Sequence, residues 1–212
     1  MKEHYKFSLK PLPYGYYEIE PYISEQTMKQ HHIRHLGGYV NSLNALIEEY
    51  PQYSNLSLTE LYLSAHKMQH IGEKMRFLSG AVYNHNLFFS ILCPTYNDAI
   101  TAPSGALYDA LTREFGSFDQ FAVAFRDAAN ALRGSGWVNL CRDHRNRPRI
   151  VTVQNHDRPV ISEYTPIILL DMWEHAYYLD YLDRKKEYIE NIFRIINWRL
   201  AEMFWESKVV YK

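Results

Sequence analysis

The sequence predicts an α+β protein, an N-terminal long helical hairpin followed by an α/β domain with a small three-stranded antiparallel sheet. Three observations predict it. Two long stretches, roughly 24–49 and 58–92, carry apolar residues at helical spacing. From Trp137 to Leu170 the pattern changes to three short β-leaning runs. Between these halves, Pro94 to Ser104 holds two prolines and several small polar residues, which marks a linker. The expected domains are residues 1–97 and 98–212.

Pro11 to Ile23, rich in Pro and Tyr, reads as an irregular arm. Ser24 or Glu25 can start the first helix, and Met28, His31, His32, His35, Tyr39, Leu43 and Leu46 carry it to about Glu49. Pro51 and the polar Gln52-Tyr53-Ser54-Asn55 break it. A second long helix is expected from about Leu58 to Leu92, ended by Cys93-Pro94. Leu107 to Phe115 and Phe118 to Leu132 read as two helices separated by Gly116-Ser117. Arg133-Gly134-Ser135-Gly136 then changes the period. Strands Trp137 to Cys141 and Ile150 to Val153 follow, joined by an Arg-rich hairpin loop from Arg142 to Arg147. A third run, Ile167 to Leu170, leads into Asp171, and Tyr188 to Phe204 reads as a closing amphipathic helix.

With 212 residues, 47% hydrophobic and 22% charged, the chain is long enough to bury a sizeable core. A formal net charge of -1 gives no global electrostatic reason to expect nucleic acid or an anionic membrane as partner. The opening residues Met1 to Lys6 are polar and no run is long enough to span a bilayer, so the expected location is cytoplasmic. Cys93 and Cys141 stand far apart with no Cys-x-x-Cys pattern, which argues against a zinc ribbon or a disulfide scaffold and for two buried, inert thiols. Aromatic residues make up 15% of the chain; most must fill a core or an interface, leaving a minority to line a pocket.

The chemistry concentrates at Asp171-Met172-Trp173-Glu174-His175, where a carboxylate and an imidazole stand four apart directly after the apolar run. If a strand hands over to a helix there, the two share a face and could grip one ion. His31 on the first helix and His85 on the second offer two further imidazoles, although ten histidines allow many other combinations. A set of imidazoles and one carboxylate without thiolate suits Fe, Mn or Zn and disfavours Cu(I) or an iron-sulfur cluster. His66 and His70 also stand four apart on the expected second helix, but no Glu follows His66 as in zinc proteases, so a solvent-facing pair is expected. His32 cannot share a face with His31, and His144 belongs to the hairpin loop. Asp183 to Glu187 carries both signs and reads as a solvated helix face.

Four ordered motifs resemble the iron/manganese superoxide dismutase family from about Leu12 to about Trp198. They are the run LPYGYYEIEPYISEQTMKQHHIRH, Asn84-His85 followed by Leu87-Phe88, Gly134-Ser135-Gly136-Trp137, and the most diagnostic, DMWEHAYYLDY. The resemblance implies disproportionation of superoxide to hydrogen peroxide and dioxygen at a mononuclear Fe or Mn that cycles between trivalent and divalent states. It implies His31, His85, Asp171 and His175 as ligands, with one metal-bound solvent. It further implies a proton gateway at His35 and Tyr39, and an aromatic wall that includes Trp137 and Trp173. A homodimer follows, possible also as half of a tetramer, in which Glu174 reaches the partner's ligand histidine and Tyr178 the partner's gateway histidine. Arg184 matches a basic residue near the substrate funnel.

Departures accompany the matches. Where most of the family bonds the metal-bound solvent with a glutamine, this chain offers Ala81 at one candidate position and His156 at the other. His156 is therefore the expected solvent partner. Phe89 and Asn139 stand where the family usually has Trp, and Leu36 where it often has His, so the aromatic wall is expected to be incomplete. With the glutamine absent, the usual clue to the metal is lost, and iron or dual use of Fe and Mn is the expectation. The competing reading is a non-catalytic or weakly active metal-binding homodimer. A non-haem iron oxygenase is a further alternative, opposed by the extra ligand His85, because such enzymes need open coordination positions.

Overall fold

The computed structural model describes residues 4–94, 102–157 and 160–207. The expected domain boundary at 97/98 lies outside the described residues.

The first long helix runs through residues 25–49 without a break in helical dihedrals, but not as one kind of helix. Glu25–Lys29 (α1) is capped by Ser24, whose side chain accepts from Thr27 N–H, and Gly37–Glu49 (α2) completes the rod. Between them Gln30–Leu36 winds as a π-helix, with Gly37 N–H bonded to the carbonyl of His32 five residues back. Such wide turns recur at functional sites, and this one carries His31, His32 and His35.

The second expected helix is two. Leu58–Ser64 (α3) starts with a reciprocal capping box between Ser57 and Glu60, then yields to a 3-10 turn, Ala65–Lys67, before Gly72–Ile91 (α4). His70 has φ 62°, so the His66/His70 pair does not share a helix face as expected. The reason is local: at Gly72 any Cβ would collide with the Ala65 carbonyl, a close approach that the break at 65–71 requires.

Gly105–Phe115 (α5) and Phe118–Ala131 (α6) match the expected pair, with Gly116 at φ 94° turning the chain between them and Ser117 capping α6. Strands Gly136–Arg142 (β1), Pro148–Gln154 (β2) and Thr165–Asp171 (β3) form one antiparallel sheet in the order β2-β1-β3. The central β1 and the apolar β3 are buried along almost their whole length, which explains why both read as apolar runs rather than alternating ones. The register pairs Trp137 with Asp171, so the last residue of β3 sits beside the first aromatic of β1.

The closing helix is also broken: Tyr178–Tyr181 (α7) and Lys185–Ile192 (α8) precede a 3-10 turn, and Trp198–Glu206 (α9) restarts on an Asn197 cap. The break is used. Cys93 N–H bonds Ile195 O at 2.8 Å and Asn197 N–H bonds Ile91 O at 2.7 Å, tying the end of α4 to the C-terminal half. One apolar cluster runs from the N-terminal arm through both helical halves to α9. Cys93 and Cys141 are both buried and unpaired. Among the described residues no helix is long and apolar enough to cross a membrane.

Candidate metal centre

The four expected ligand residues meet where α4 and the π-turn face the end of β3. His31 comes from the π-turn, His85 from α4, Asp171 from the last position of β3, and His175 from a 3-10 turn, Glu174–Ala176. The sequence suggested that Asp171 and His175 share a helix face; they do not, since one ends a strand and the other lies in a 3-10 turn. Trp173 is extended at φ -71° and ψ 142°, and it is this kink that brings the imidazole back over the carboxylate.

Local bonds aim each side chain. Asp171 Oδ1 accepts from Trp173 N–H at 2.8 Å, which leaves Oδ2 to face inward. Tyr188, buried in α8, donates its hydroxyl to the Asp171 carbonyl at 2.8 Å and steadies the backbone there. His85 donates from Nδ1 to Ala81 O at 2.7 Å, so its Nε2 is the bare nitrogen. Around Asp171 Oδ2 stand His31 Nε2 at 3.1 Å, His175 Nε2 at 3.4 Å and His85 Nε2 at 3.6 Å. One donor atom from each of the four residues lies within 4.8 Å of the others.

This geometry fits a cation and little else. Burial lowers the His31 imidazole to about 4, against the opposing pull of Asp171, and burial with the neighbouring His31 lowers His85 well below its ordinary value. Burial acts to raise the Asp171 carboxyl, but the adjoining His175 and His31 outweigh it and hold it well below the carboxylate range. An ionised carboxylate thus faces the neutral imidazoles of His31 and His85 in a buried site. Neither Asp171 Oδ2 nor His31 Nε2 has a hydrogen-bond partner. Converging lone pairs around one buried negative charge are what a metal ion satisfies.

Aromatic rings enclose the cluster. Phe89 and Phe88 stand 4.8 and 5.5 Å from the His31 ring, and Trp137 meets His85 edge-on at 5.1 Å. Trp173 stacks on His175 at 5.6 Å and on His156 at 5.2 Å. The wall is less depleted than the missing tryptophans suggested, because Phe77, Phe88 and Phe89 contribute to it. Asn139 takes no part; it is buried in β1 and donates to Val151 O at 3.2 Å. Leu36 is core.

The other expected site residues fall into three groups. Tyr39, half-buried, lies 5.5 Å from the His85 ring, and burial, then the Asp171 charge, raises its hydroxyl. His156 is wholly buried, 5.9 Å from Tyr39, and burial lowers it to about 4. His35 stacks on His175 at 4.2 Å, and together with Glu174, Tyr178, Leu179, Gln26 and Gln30 they line an open groove of about 440 Å³. Arg184 stands apart: it is exposed, pairs with Glu187 at 2.9 Å and bonds the carbonyls of Asp180 and Tyr181. His32 packs between Tyr16 OH at 2.9 Å and Lys10 O at 2.8 Å.

Sequence reasoning missed Phe77, Tyr188 and the contact of Asn84 with His156. Only Asn84 carried a signal, its place beside His85.

Two helical arms and a sheet that close on a buried three-histidine, one-carboxylate cluster define a mononuclear metalloprotein. Residues 6–93 match the alpha-hairpin domain of iron/manganese superoxide dismutases and residues 103–203 match their C-terminal domain. The chain belongs to the iron/manganese superoxide dismutase family, whose members are oxidoreductases acting on superoxide. It is 37% identical to a superoxide dismutase [Mn] of Thermus thermophilus, over 96% of this chain and 98% of that protein. It is 34% identical to superoxide dismutase [Mn/Fe] 2 of Staphylococcus aureus, over 95% and 98%. To the mitochondrial superoxide dismutase [Mn] of Schizosaccharomyces pombe it is 40% identical, over 97% and 90%.

The buried imidazoles dictate a pH response in the metal-free protein. Unfolded histidine ionises near about 6.5, whereas folded His31 and His156 are lowered to about 4, so between these values the unfolded chain binds more protons. Thermal melts of metal-free protein should show stability intact above about pH 6.5 and falling as pH drops towards about 4. A melting temperature flat across that window would contradict the neutral, buried imidazoles.

Proposed function

We infer that superoxide is disproportionated at one ion held by His31, His85, Asp171 and His175, and that manganese and iron can both serve there. The observation that carries this reading is the unpartnered Asp171 Oδ2 among three imidazole nitrogens. The bound ion supplies a one-electron couple that superoxide can reduce and oxidise in turn. The sequence leaned to iron or to dual use of Fe and Mn, and of these dual use gains support from relatives named for manganese and one named for both metals.

The chain's own residues set the terms of that couple. The Asp171 charge favours the higher oxidation state, and the aromatic rings of Trp137 and Trp173 keep bulk water from the ligands. His156 is the expected hydrogen-bond partner of the ion's solvent ligand. Tyr39, like any phenol, keeps its proton at neutral pH, and burial and the Asp171 charge raise it further, so it can stand as a donor for the peroxide product. His35, exposed and stacked on His175, lines the groove that opens to water. A metal held only for folding would need neither group. Arg184, the basic residue that the resemblance places near the substrate funnel, is paired with Glu187 and has Asp183 beside Lys185 and Lys186, so the positive field it can offer a small anion is partly offset.

The groove is the proposed two-fold interface. Tyr178 and Leu179 are large side chains left about half exposed beside Glu174, which suits burial against a second copy. In this reading Glu174 bonds the partner's ligand histidine and Tyr178 the partner's gateway histidine. A cytoplasmic location goes with two unpaired, buried cysteines, as a reducing compartment allows.

The dismutation rate per bound ion, measured with manganese-loaded, iron-loaded and metal-free protein, tests the activity. Both loaded forms should turn over and the metal-free form should not. Tyr39→Phe should lower turnover about tenfold or more while metal content stays near one ion per chain. His85→Ala should lose metal and metal-dependent stability together. Equal folding defects in both variants would contradict this division of roles. Glu174→Ala should shift the sedimentation profile from dimer towards monomer; an unchanged profile would remove Glu174 from the interface.

A further inference from the structure

The two ring nitrogens of His156 live in opposite surroundings. Nδ1 lies 3.0 Å from Trp137 Nε1 and 3.3 Å from Asn84 Nδ2. Nε2 is buried and has no hydrogen-bond partner. An indole N–H can donate and cannot accept, so Nδ1 must be the acceptor. A neutral imidazole carries a single N–H, and with Nδ1 bare that hydrogen sits on Nε2. The ring is also held in place: Trp173 stacks on it at 5.2 Å and 15°, and Phe77 meets it edge-on at 5.0 Å. On the remaining side, Gly80 makes room for it. A Cβ there would stand 3.2 Å from His156 Cβ and 2.7 Å from the Tyr62 ring.

We propose that Trp137 and Asn84 are positioning residues that hold His156 as its Nε2–H tautomer, so that it presents only a donor to the solvent ligand of the ion. The proposal rests on the reading of His156 as the partner of that solvent. Left to itself, a neutral histidine can meet an oxygen with either an N–H or a bare nitrogen. The indole, with the amide beside it, removes the second option. Trp137 therefore does more than exclude water. From the start of β1, opposite Asp171 in register, it decides which nitrogen of His156 keeps the hydrogen.

Two measurements on the full chain test this. With diamagnetic zinc in the site, long-range proton–nitrogen correlation spectra report the tautomer of His156 in the unsubstituted protein. A pyridine-type Nδ1 and a pyrrole-type Nε2 are expected; hydrogen on Nδ1, or averaged nitrogen shifts, would overturn the proposal. With manganese in the site, the midpoint potential is compared among Trp137→Phe, His156→Ala and the double variant. Trp137→Phe should shift the potential when His156 is present and add nothing once His156 is alanine. Asn84→Ala replaces it in the cycle if Trp137→Phe does not fold. An equal shift in both backgrounds, or none in either, makes the residue mere packing and overturns the proposal. If His156→Ala alone leaves the potential unchanged, the failure is that of the underlying solvent-partner reading, and the zinc spectra separate the two cases.

Discussion

The constraint on which the rest of this structure depends is one ionised carboxylate, Asp171, buried completely with no fixed cation beside it. Among its neighbours at Oδ2, the imidazoles of His31 and His85 are kept neutral by burial. A lone buried charge is among the most costly features a fold can contain. Everything around it supplies either a place for a positive charge or a reason for the carboxylate to stay where it is. Trp173 N–H and the Tyr188 hydroxyl fix its outer oxygen Oδ1 and its backbone, and the strand register fixes its depth.

That arrangement joins the two halves of the molecule chemically as well as mechanically. His31 and His85 come from the helical hairpin, Asp171 and His175 from the sheet side. The bonds from Cys93 and Asn197 to the opposite half, together with the continuous apolar core, bring the donors together. An ion then satisfies lone pairs that folding has already aligned, so metal binding and stability are coupled. The same closure leaves His35 and His175 at the floor of a groove while His31, His85 and Asp171 stay dry, which separates the face that meets substrate from the face that sets the charge.

Much of this was legible in the sequence, and the exceptions have physical causes. Helical periodicity located the first long helix, and apolar runs located β1 and β3, because both patterns report burial directly. The breaks at 65–71 and 193–197 were invisible because their flanks keep apolar spacing; a close backbone approach at Gly72 and cross-chain bonds at Ile195 and Asn197 override it. The pairing of Asp171 with His175 was right for a wrong reason, since i,i+4 spacing served a strand followed by a kink rather than a helix. Candidate ligand types could be read because few residue types hold iron or manganese. Phe77 and Tyr188 could not, since an aromatic near a metal looks like any other core aromatic until the chain is folded. His156 stood out only as a departure from a resemblance, and its tautomer needed the indole and amide contacts to be seen.

The central claim, that Asp171 is a charge awaiting an ion, is tested most directly by Asp171→Asn in denaturant melts of metal-free and manganese-loaded protein at pH 8, where free imidazoles are neutral. Asparagine keeps the oxygen that accepts from Trp173 N–H and turns an amide donor towards the imidazole nitrogens. The metal-free variant should be at least as stable as the metal-free parent, and manganese should add little to it. A metal-free variant that loses as much stability as the loaded one would contradict the claim, because Asp171 would then stabilise the fold by itself.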